Sequence, residues 1–242
     1  KGWIHSIWCG SGFKSWFILN HFRLTGDKDF LAEVYPRMLA SSRFQEKQRA
    51  RSRNAEGEKS MTYGLMPRGF GDCGMMNGED YYGVFFPHNI FSVYADRCTL
   101  EAAQILGKDN DIPELKKIYE TANKDLLTSM DRGAIKEKDY RWIPGVPGKI
   151  GGSSWGPLYA VTPCKLLAPN HELIAGTLRK MESNISEGGQ PLHTGWMEDG
   201  AWVGITLDNI AEAKLVQGDG DAAVKYLYSS LNHGTPLYTW CE

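Results

Sequence analysis

The chain lacks most of the features that assign a protein to a class at first sight. Its 27 basic and 29 acidic residues give a formal net charge of -2, so the charge does not favour a nucleic-acid partner or an anionic membrane surface. No run approaches the ~18 apolar residues that a membrane-spanning helix needs. The sequence contains neither a phosphate-binding loop nor a G-x-S-x-G nucleophile motif. Function must therefore be inferred from the pattern of elements.

Cysteine and histidine are also sparse, with five and six residues in the chain. No two cysteines have zinc-ligand or C-x-x-C spacing, and the histidines lack the spacing of zinc motifs. We therefore expect no metal site, and we interpret the cysteines as mostly buried thiols.

Aromatic residues, in contrast, are abundant. Eight Trp, eleven Tyr and nine Phe make up 12% of a chain that is 42% hydrophobic, enough apolar residues for a soluble protein with a substantial core. Many of these rings lie in Gly-rich stretches between helical segments. Rings outside a core often line a binding cleft, so these stretches are candidates for a site.

Helical periodicity dominates the sequence, and polarity alternates from one helix to the next. Residues 112–130 place apolar side chains on one stripe and charges on the other faces, whereas residues 84–106 are apolar almost all round. The same alternation predicts about four pairs of a buried and an outer helix: 11–24 with 29–50, 84–106 with 112–130, 155–168 with 171–185, and 201–217 with 221–231.

The connections alternate in length. Three of the short turns within pairs contain Gly followed by Asp, at Gly26–Asp27, Gly107–Asp109 and Gly218–Asp219. Such a Gly can end one helix in a left-handed conformation, and the Asp can cap the next. The connections between pairs are long, at about 52–83, 131–154 and 187–200, and loops of this length are usually functional or disordered. Their Trp, Tyr, Phe and Met content argues against disorder.

Antiparallel pairs with short turns place those turns at one end of the molecule. The long connections then gather at the other end, around the starts of the buried helices. Six such hairpins in a ring form an (α/α)6 toroid, so we expect residues 1–242 to be a single, partial domain of this kind, truncated at one or both ends. A helical solenoid is the alternative. A short β-hairpin arm is also predicted near residues 138–146.

Carboxylates cluster in two of the long connections. Asp72, Glu79 and Asp80 lie in the first, and Glu198 and Asp199 lie in the third. Partial burial beside Trp196 and Trp202 would raise the pKa of a carboxyl, as a general acid at neutral pH requires. Helix capping is the alternative role for Asp80 and for one of the later pair.

Paired carboxylates among aromatic rings indicate glycoside chemistry, in which one acid protonates the leaving oxygen and the other activates water or attacks the sugar. Adjacent acids rarely flank one bond from opposite sides, so we expect one partner from each connection, with Glu242 as a further possibility. The candidate substrate-binding residues are Arg68, His88, Asn89, Trp142, Trp155, His193, Trp196, Trp202 and Trp240. The charged run 136–139 is interpreted as a solvated cluster.

Four segments resemble the six-hairpin glycosidases: residues 24–44, 63–74, 87–111 and 195–227. The chain is similar to the catalytic domains of α-L-rhamnosidase-like enzymes and to the group that contains glucoamylases and trehalases. This resemblance implies an (α/α)6 barrel and hydrolysis of a glycosidic bond in a carbohydrate, commonly with inversion. It also implies that no metal or organic cofactor takes part, and, by analogy, a secreted or periplasmic location.

Two other functions stay open. A polysaccharide lyase on the same scaffold could use Arg68, Tyr81, Tyr82, His88 and Asn89, although a lyase would favour a cationic cleft and these connections are rich in acids. A helical-repeat protein could instead bind carbohydrate or protein at its loops without catalysis.

Overall fold

The structure is a computed structural model of the chain, and it describes residues 7–71, 82–150, 156–192, 203–237 and 239, without the side chains of residues 205 and 208. The described chain is mostly helical, which confirms the all-α prediction. Among the described residues, no helix combines the length and the hydropathy that crossing a membrane requires.

The helices follow the predicted segments closely, with one exception described below. They are α1 (Gly10–Thr25), α2 (Lys28–Ala55), α3 (Phe86–Leu106), α4 (Ile112–Gly133), α5 (Glu172–Met181), α6 (Val203–Ile205), α7 (Glu212–Val216) and α8 (Gly220–Asn232). A π-helical segment, Thr206–Ala211, joins α6 to α7 without a break.

Two short hairpins complete the secondary structure. Strand β1 (Gly69–Phe70) pairs with β2 (Tyr82–Gly83), and β3 (Ile135–Lys136) pairs antiparallel with β4 (Arg141–Trp142). In the second hairpin Ile135 faces Trp142 across the ladder. The hairpin overlaps the predicted range 138–146 only at its turn and second strand, because its first strand precedes that range.

The chain divides into two compact units, each described by itself. Unit 1 consists of Lys1–Gly69 and His88–Ser129, and unit 2 consists of Phe70–Pro87 and Met130–Glu242. Unit 1 therefore holds α1, α2 and most of α3 and α4, and unit 2 holds the remaining helices. The prediction of one (α/α)6 domain over the whole chain stays a prediction.

The Gly-Asp turns form as predicted at two of the three places. Gly26 and Gly218 adopt left-handed conformations with φ of 72° and 86°. Asp27 and Asp219 each accept a hydrogen bond from the backbone N–H three residues later, at 2.9 Å and 3.1 Å. These side chains satisfy N–H groups that have no partner within the first helical turn.

The third turn differs from its prediction. Gly107 is left-handed with φ of 66°, but α4 begins at Ile112, so Asp111 and not Asp109 directly precedes it. The predicted capping role of Asp109 is therefore wrong. Asp111 instead accepts a hydrogen bond from the Tyr35 hydroxyl at 2.8 Å.

The predicted buried helix over residues 155–168 does not form. Only a 3-10 turn, Pro157–Ala160, is helical there, and a series of turns follows it. Pro163 explains the break, because its nitrogen cannot donate a helical hydrogen bond and its ring disfavours the α conformation of Thr162. Helix α5 therefore lacks the predicted partner helix within the described residues.

In unit 1, α1 and α3 run in the same direction. The rings of Phe13 and Phe91, near the starts of the two helices, have centroids 4.1 Å apart. Nearer the other ends, Arg23 and Glu101 form an ion pair at 2.8 Å. Contacts that join start to start and end to end indicate parallel helices.

Helices α2 and α4 are also parallel to each other. Arg43 pairs with Glu114 at 2.5 Å, and further along both helices Arg53 pairs with Asp125 at 2.8 Å. Because each hairpin reverses the chain, both short turns of unit 1 lie at one end. The connection that follows α2 leaves from the opposite end.

Unit 2 repeats this arrangement on a smaller scale. The Gln217 side chain, in the turn before α8, donates to the Pro169 carbonyl, in the turn before α5, at 2.7 Å. Further along the two helices, Tyr226 of α8 donates to Glu182, just after α5, at 2.6 Å. Helices α5 and α8 are therefore parallel, with their preceding turns at one end.

Candidate functional site

The first long connection is anchored at the end of unit 1 opposite the short turns. The Trp8 indole N–H donates to the Pro67 carbonyl at 2.9 Å, and the Asn89 amide oxygen accepts from the Met66 backbone N–H at 2.7 Å. Leu65 and Met66 are 1% exposed. Residues 65–67 are thus held between the chain just before α1 and the first turn of α3, and they lead directly into the segment that carries Asp72, Glu79 and Asp80.

Three candidate binding residues lie in this region of unit 1. Asn89 is 2% exposed and His88 is 1% exposed, both in the first turn of α3. Asn89 therefore has a structural role, since its amide oxygen fixes the Met66 backbone. Arg68, two residues further on from Met66, is exposed.

The remaining described candidate, Trp142, lies on β4 in unit 2 and is 5% exposed. Its indole N–H faces a Glu137 carboxylate oxygen at 3.3 Å, and the Lys180 ammonium lies 5.2 Å from the ring centroid. A sugar ring could stack on Trp142 only if the Lys180 side chain moved away.

The charged run at 136–139 ties the β3–β4 hairpin to α5. Lys180 donates to Glu137 at 2.9 Å, and Arg179 donates to Asp139 at 2.7 Å. The hydrogen bond from Lys180 lowers the pKa of the Glu137 carboxyl. Lys136, Lys138 and Asp139 are exposed, in agreement with the solvated cluster that the sequence predicts.

The second acid-rich connection is anchored in unit 2 by a buried network around Gln190. The Gln190 amide donates to Ser229 at 2.9 Å and to Ser230 at 3.2 Å, and its oxygen accepts from Thr206 at 2.6 Å. All four residues are buried. They fix the chain shortly before residues 193–202, which carry Glu198 and Asp199.

The π-helical segment presents one buried amide with an open donor. Asn209 is fully buried, and its side-chain oxygen accepts from the Gly156 backbone N–H at 3.1 Å. Its Nδ2 has no hydrogen-bond partner among the described residues. π-helical segments occur often at functional sites. No signal in the sequence marks this segment, since residues 201–217 have an ordinary helical pattern.

A second group that sequence reasoning missed is the polar core of unit 1. Arg49 and Asp96 form a fully buried ion pair, and Arg49 also donates to Ser92 at 2.8 Å. Gln45 donates to the second Asp96 oxygen at 3.3 Å. Burial raises the pKa of the Asp96 carboxyl, and the Arg49 charge acts against that shift. The available signal was Asp96 itself, an acid in the middle of a helix with few charges.

Ten of the predicted site residues lie outside the described residues. They are Asp72, Glu79, Asp80, Trp155, His193, Trp196, Glu198, Asp199, Trp202 and Trp240. All five proposed catalytic carboxylates are in this set, and Glu242 also lies outside the described residues, so their roles stay predictions.

Cys9, Cys98 and Cys164 are buried thiols, as predicted. Burial raises the pKa of Cys98 to about 12. Among the described residues, no three His, Cys, Asp or Glu side chains form a group that could hold a metal ion.

Comparison with known proteins finds no family model that matches the chain and no curated protein that matches it.

Proposed function

We propose that the chain is a glycoside hydrolase of the six-hairpin type, with hairpins that belong to an (α/α)6 toroid. One observation carries the proposal. In each unit the short turns lie at one end, and buried hydrogen bonds away from those turns anchor the chain that leads into an acid-rich connection. This arrangement is what a toroid needs to place its long loops around one opening.

The proposed chemistry uses one carboxylate from each connection. One of Asp72, Glu79 and Asp80 pairs with Glu198 or Asp199, so that one group protonates the glycosidic oxygen and the other activates a water molecule. The sequence places Trp196 and Trp202 close to Glu198, and partial burial there would raise the pKa of its carboxyl, as a general acid requires. The substrate is a carbohydrate, and no metal or organic cofactor takes part.

Arg68 is the described residue best placed to bind that substrate. It is exposed, and it follows a segment fixed by Trp8 and Asn89. Because Pro67 and Met66 are held, the backbone position of Arg68 is constrained, and its guanidinium can donate to sugar hydroxyl groups with little loss of backbone freedom.

The test is hydrolysis of a panel of aryl glycosides by the wild-type chain and by five single variants: Asp72→Asn, Glu79→Gln, Asp80→Asn, Glu198→Gln and Asp199→Asn. We expect one variant from each connection to lower kcat by about 10²- to 10⁴-fold, as removal of a general acid or base does. Asp109→Asn, in the short turn before α4, is the matched control and should retain activity.

Three results would contradict the proposal. The first is no turnover of any glycoside or oligosaccharide, and the second is turnover that all five variants retain. The third is a product with the ultraviolet absorbance of an unsaturated uronate, which would assign the chain to the lyases. A Glu198→Gln variant that turns over normally but binds sugar weakly would make that acid a ligand contact.

A further inference from the structure

A pocket of about 660 Å³ lies between α1 and α2 in unit 1. Pockets of roughly 300–1,000 Å³ are the usual size of small-molecule sites. Its walls are mainly apolar, and they include the side chains of Trp8, Phe17, Met38 and Phe44. Phe17 is 64% exposed and Phe44 is 50% exposed, so these two rings border the opening. An apolar or aromatic ligand body would cover them.

The pocket also contains buried polar groups. Ser15 is 4% exposed and Gln45 is 3% exposed, and both line the cavity. Both ends of the Gln45 amide are occupied, because its oxygen accepts from Ser11 at 2.7 Å and its nitrogen donates to Asp96 at 3.3 Å. The Ser15 side chain makes no hydrogen bond with any described residue. It is therefore a nearly buried hydroxyl that faces the cavity with hydrogen-bonding capacity left.

The charges around this pocket have one sign. Lys14 and Arg37 line it, one from each helix, and among the described residues no Asp or Glu does. Both cations are exposed, and neither forms an ion pair with a described residue. The local charge is thus positive on a chain whose net charge is -2. Exposed cations that form no ion pair with a described residue, at the mouth of an apolar pocket, favour a ligand that ends in an anionic group.

We propose that this pocket binds a small molecule with an apolar body and one anionic group, such as a medium-chain or aromatic carboxylate. The apolar body lies between Phe17, Met38 and Phe44. The anionic group lies at the mouth, between Lys14 and Arg37, and the Ser15 hydroxyl binds a polar atom deeper in the cavity. This site is independent of the proposed hydrolase activity, which uses the connections after α2 and before α6.

The test compares three ligands with the same chain length: octanoate, 1-octanol and octyltrimethylammonium. Isothermal titration calorimetry below the micellar range measures affinity and stoichiometry. We expect octanoate to bind with one site per chain and about fivefold more tightly than octanol, the effect of two exposed cations. The ammonium ligand should bind most weakly.

Variants of the chain separate the effect of the two cations on binding from the effect of the cavity's shape. The double variant Lys14→Gln/Arg37→Gln should bind octanoate and octanol equally, whereas Lys47→Gln, an exposed lysine of α2 outside the pocket, should leave the preference unchanged. Ser15→Leu should fill the cavity and weaken both ligands at least tenfold. If Ser15→Leu does not fold, as judged by thermal unfolding, Ser41→Trp fills the pocket from the α2 side.

Equal affinity for all three ligands, several binding sites per chain, or full affinity in the cavity-filling variants would overturn the proposal. So would a dimer in light scattering whose dissociation constant changes with Ser15→Leu, because a second copy of the chain would then occupy the pocket.

Discussion

Arg49 and Asp96 form a buried ion pair whose exposed fractions are 1% and 0%. Removal of one partner leaves a buried charge without compensation, which typically costs about 3–5 kcal/mol. We therefore expect Asp96→Asn to lower the free energy of unfolding by that amount in urea titrations. Arg43→Gln, which breaks an exposed pair with Glu114, should lower it by less than about 1 kcal/mol.

The double variant Arg49→Met/Asp96→Leu tests whether an uncompensated buried charge causes this loss of stability. An apolar pair of similar volume removes both charges, so most of the lost stability should return. A double variant as unstable as Asp96→Asn alone would show that packing, and not the uncompensated charge, accounts for the loss.

Tyr226 gives a pH-dependent prediction at the residue scale. Burial, and then the hydrogen bond to the Glu182 carboxylate, raise the pKa of its phenol. A group with a raised pKa in the folded state contributes stability that is complete below the unfolded pKa, about 10 for tyrosine, and is lost as pH rises through the folded value. The contribution of Tyr226 to stability is therefore lost at alkaline pH.

We expect Tyr226→Phe to lower the free energy of unfolding by about 1–2 kcal/mol at pH 8, since a hydrogen bond to a charged group is lost. The difference from wild type should shrink above about pH 10. Tyr228→Phe is the matched control on α8, because Tyr228 is 62% exposed. A difference that is constant from pH 8 to pH 11 would contradict the ionisation argument.

At the scale of elements, α1 and α3 approach so closely that only glycine fits between them. A Cβ on Gly12 would collide with the Phe91 backbone carbonyl, which a side-chain movement cannot relieve. We expect Gly12→Ala to lower the free energy of unfolding by about 1–3 kcal/mol, as overpacking does.

The control for this prediction is Gly220→Ala. A Cβ there meets no atom within 4 Å, and alanine favours helix more than glycine does. This variant should match or exceed wild-type stability in thermal unfolding. If the two variants behaved alike, the close approach of α1 and α3 would not be the cause.

Some ends of helices can be predicted from a few neighbouring residues. Gly26 and Asp27 end α1 and begin α2 through contacts within a few residues, so the turn is readable from the sequence. Residues 157–168 have apolar character suited to a buried helix, but Pro163 prevents it. Periodicity alone predicts a helix over this segment, because it does not take account of a proline that interrupts the helix.

At the scale of the whole molecule, the proposed function makes a stereochemical prediction. The family resemblance implies inversion, which requires two carboxylates about 6.5–9.5 Å apart so that a water molecule fits between acid and base. The first product should therefore have the opposite anomeric configuration to the substrate, as measured by proton NMR early in the reaction.

Retention of configuration would indicate a covalent intermediate and carboxylates about 5 Å apart. Azide then provides a check, because a retaining enzyme without its acid/base residue still forms the covalent intermediate, and azide attack on it gives a glycosyl azide with the configuration of the substrate. With an inverting pair, azide should instead rescue the variant that lacks the base, and the product should keep the inverted configuration.

The sequence alone determined the all-α class, the positions of most helices and two of the Gly-Asp turns, because these depend on neighbours a few residues away. Only the tertiary structure decided what depends on long-range contacts. It buried Asp96 against Arg49 and covered Trp142 with Lys180, and it placed Lys14 and Arg37 around an apolar pocket without an ion pair to any described residue. Periodicity shows which face of a helix is apolar, but not which helix that face will meet, and the charge partners of a side chain follow from that choice.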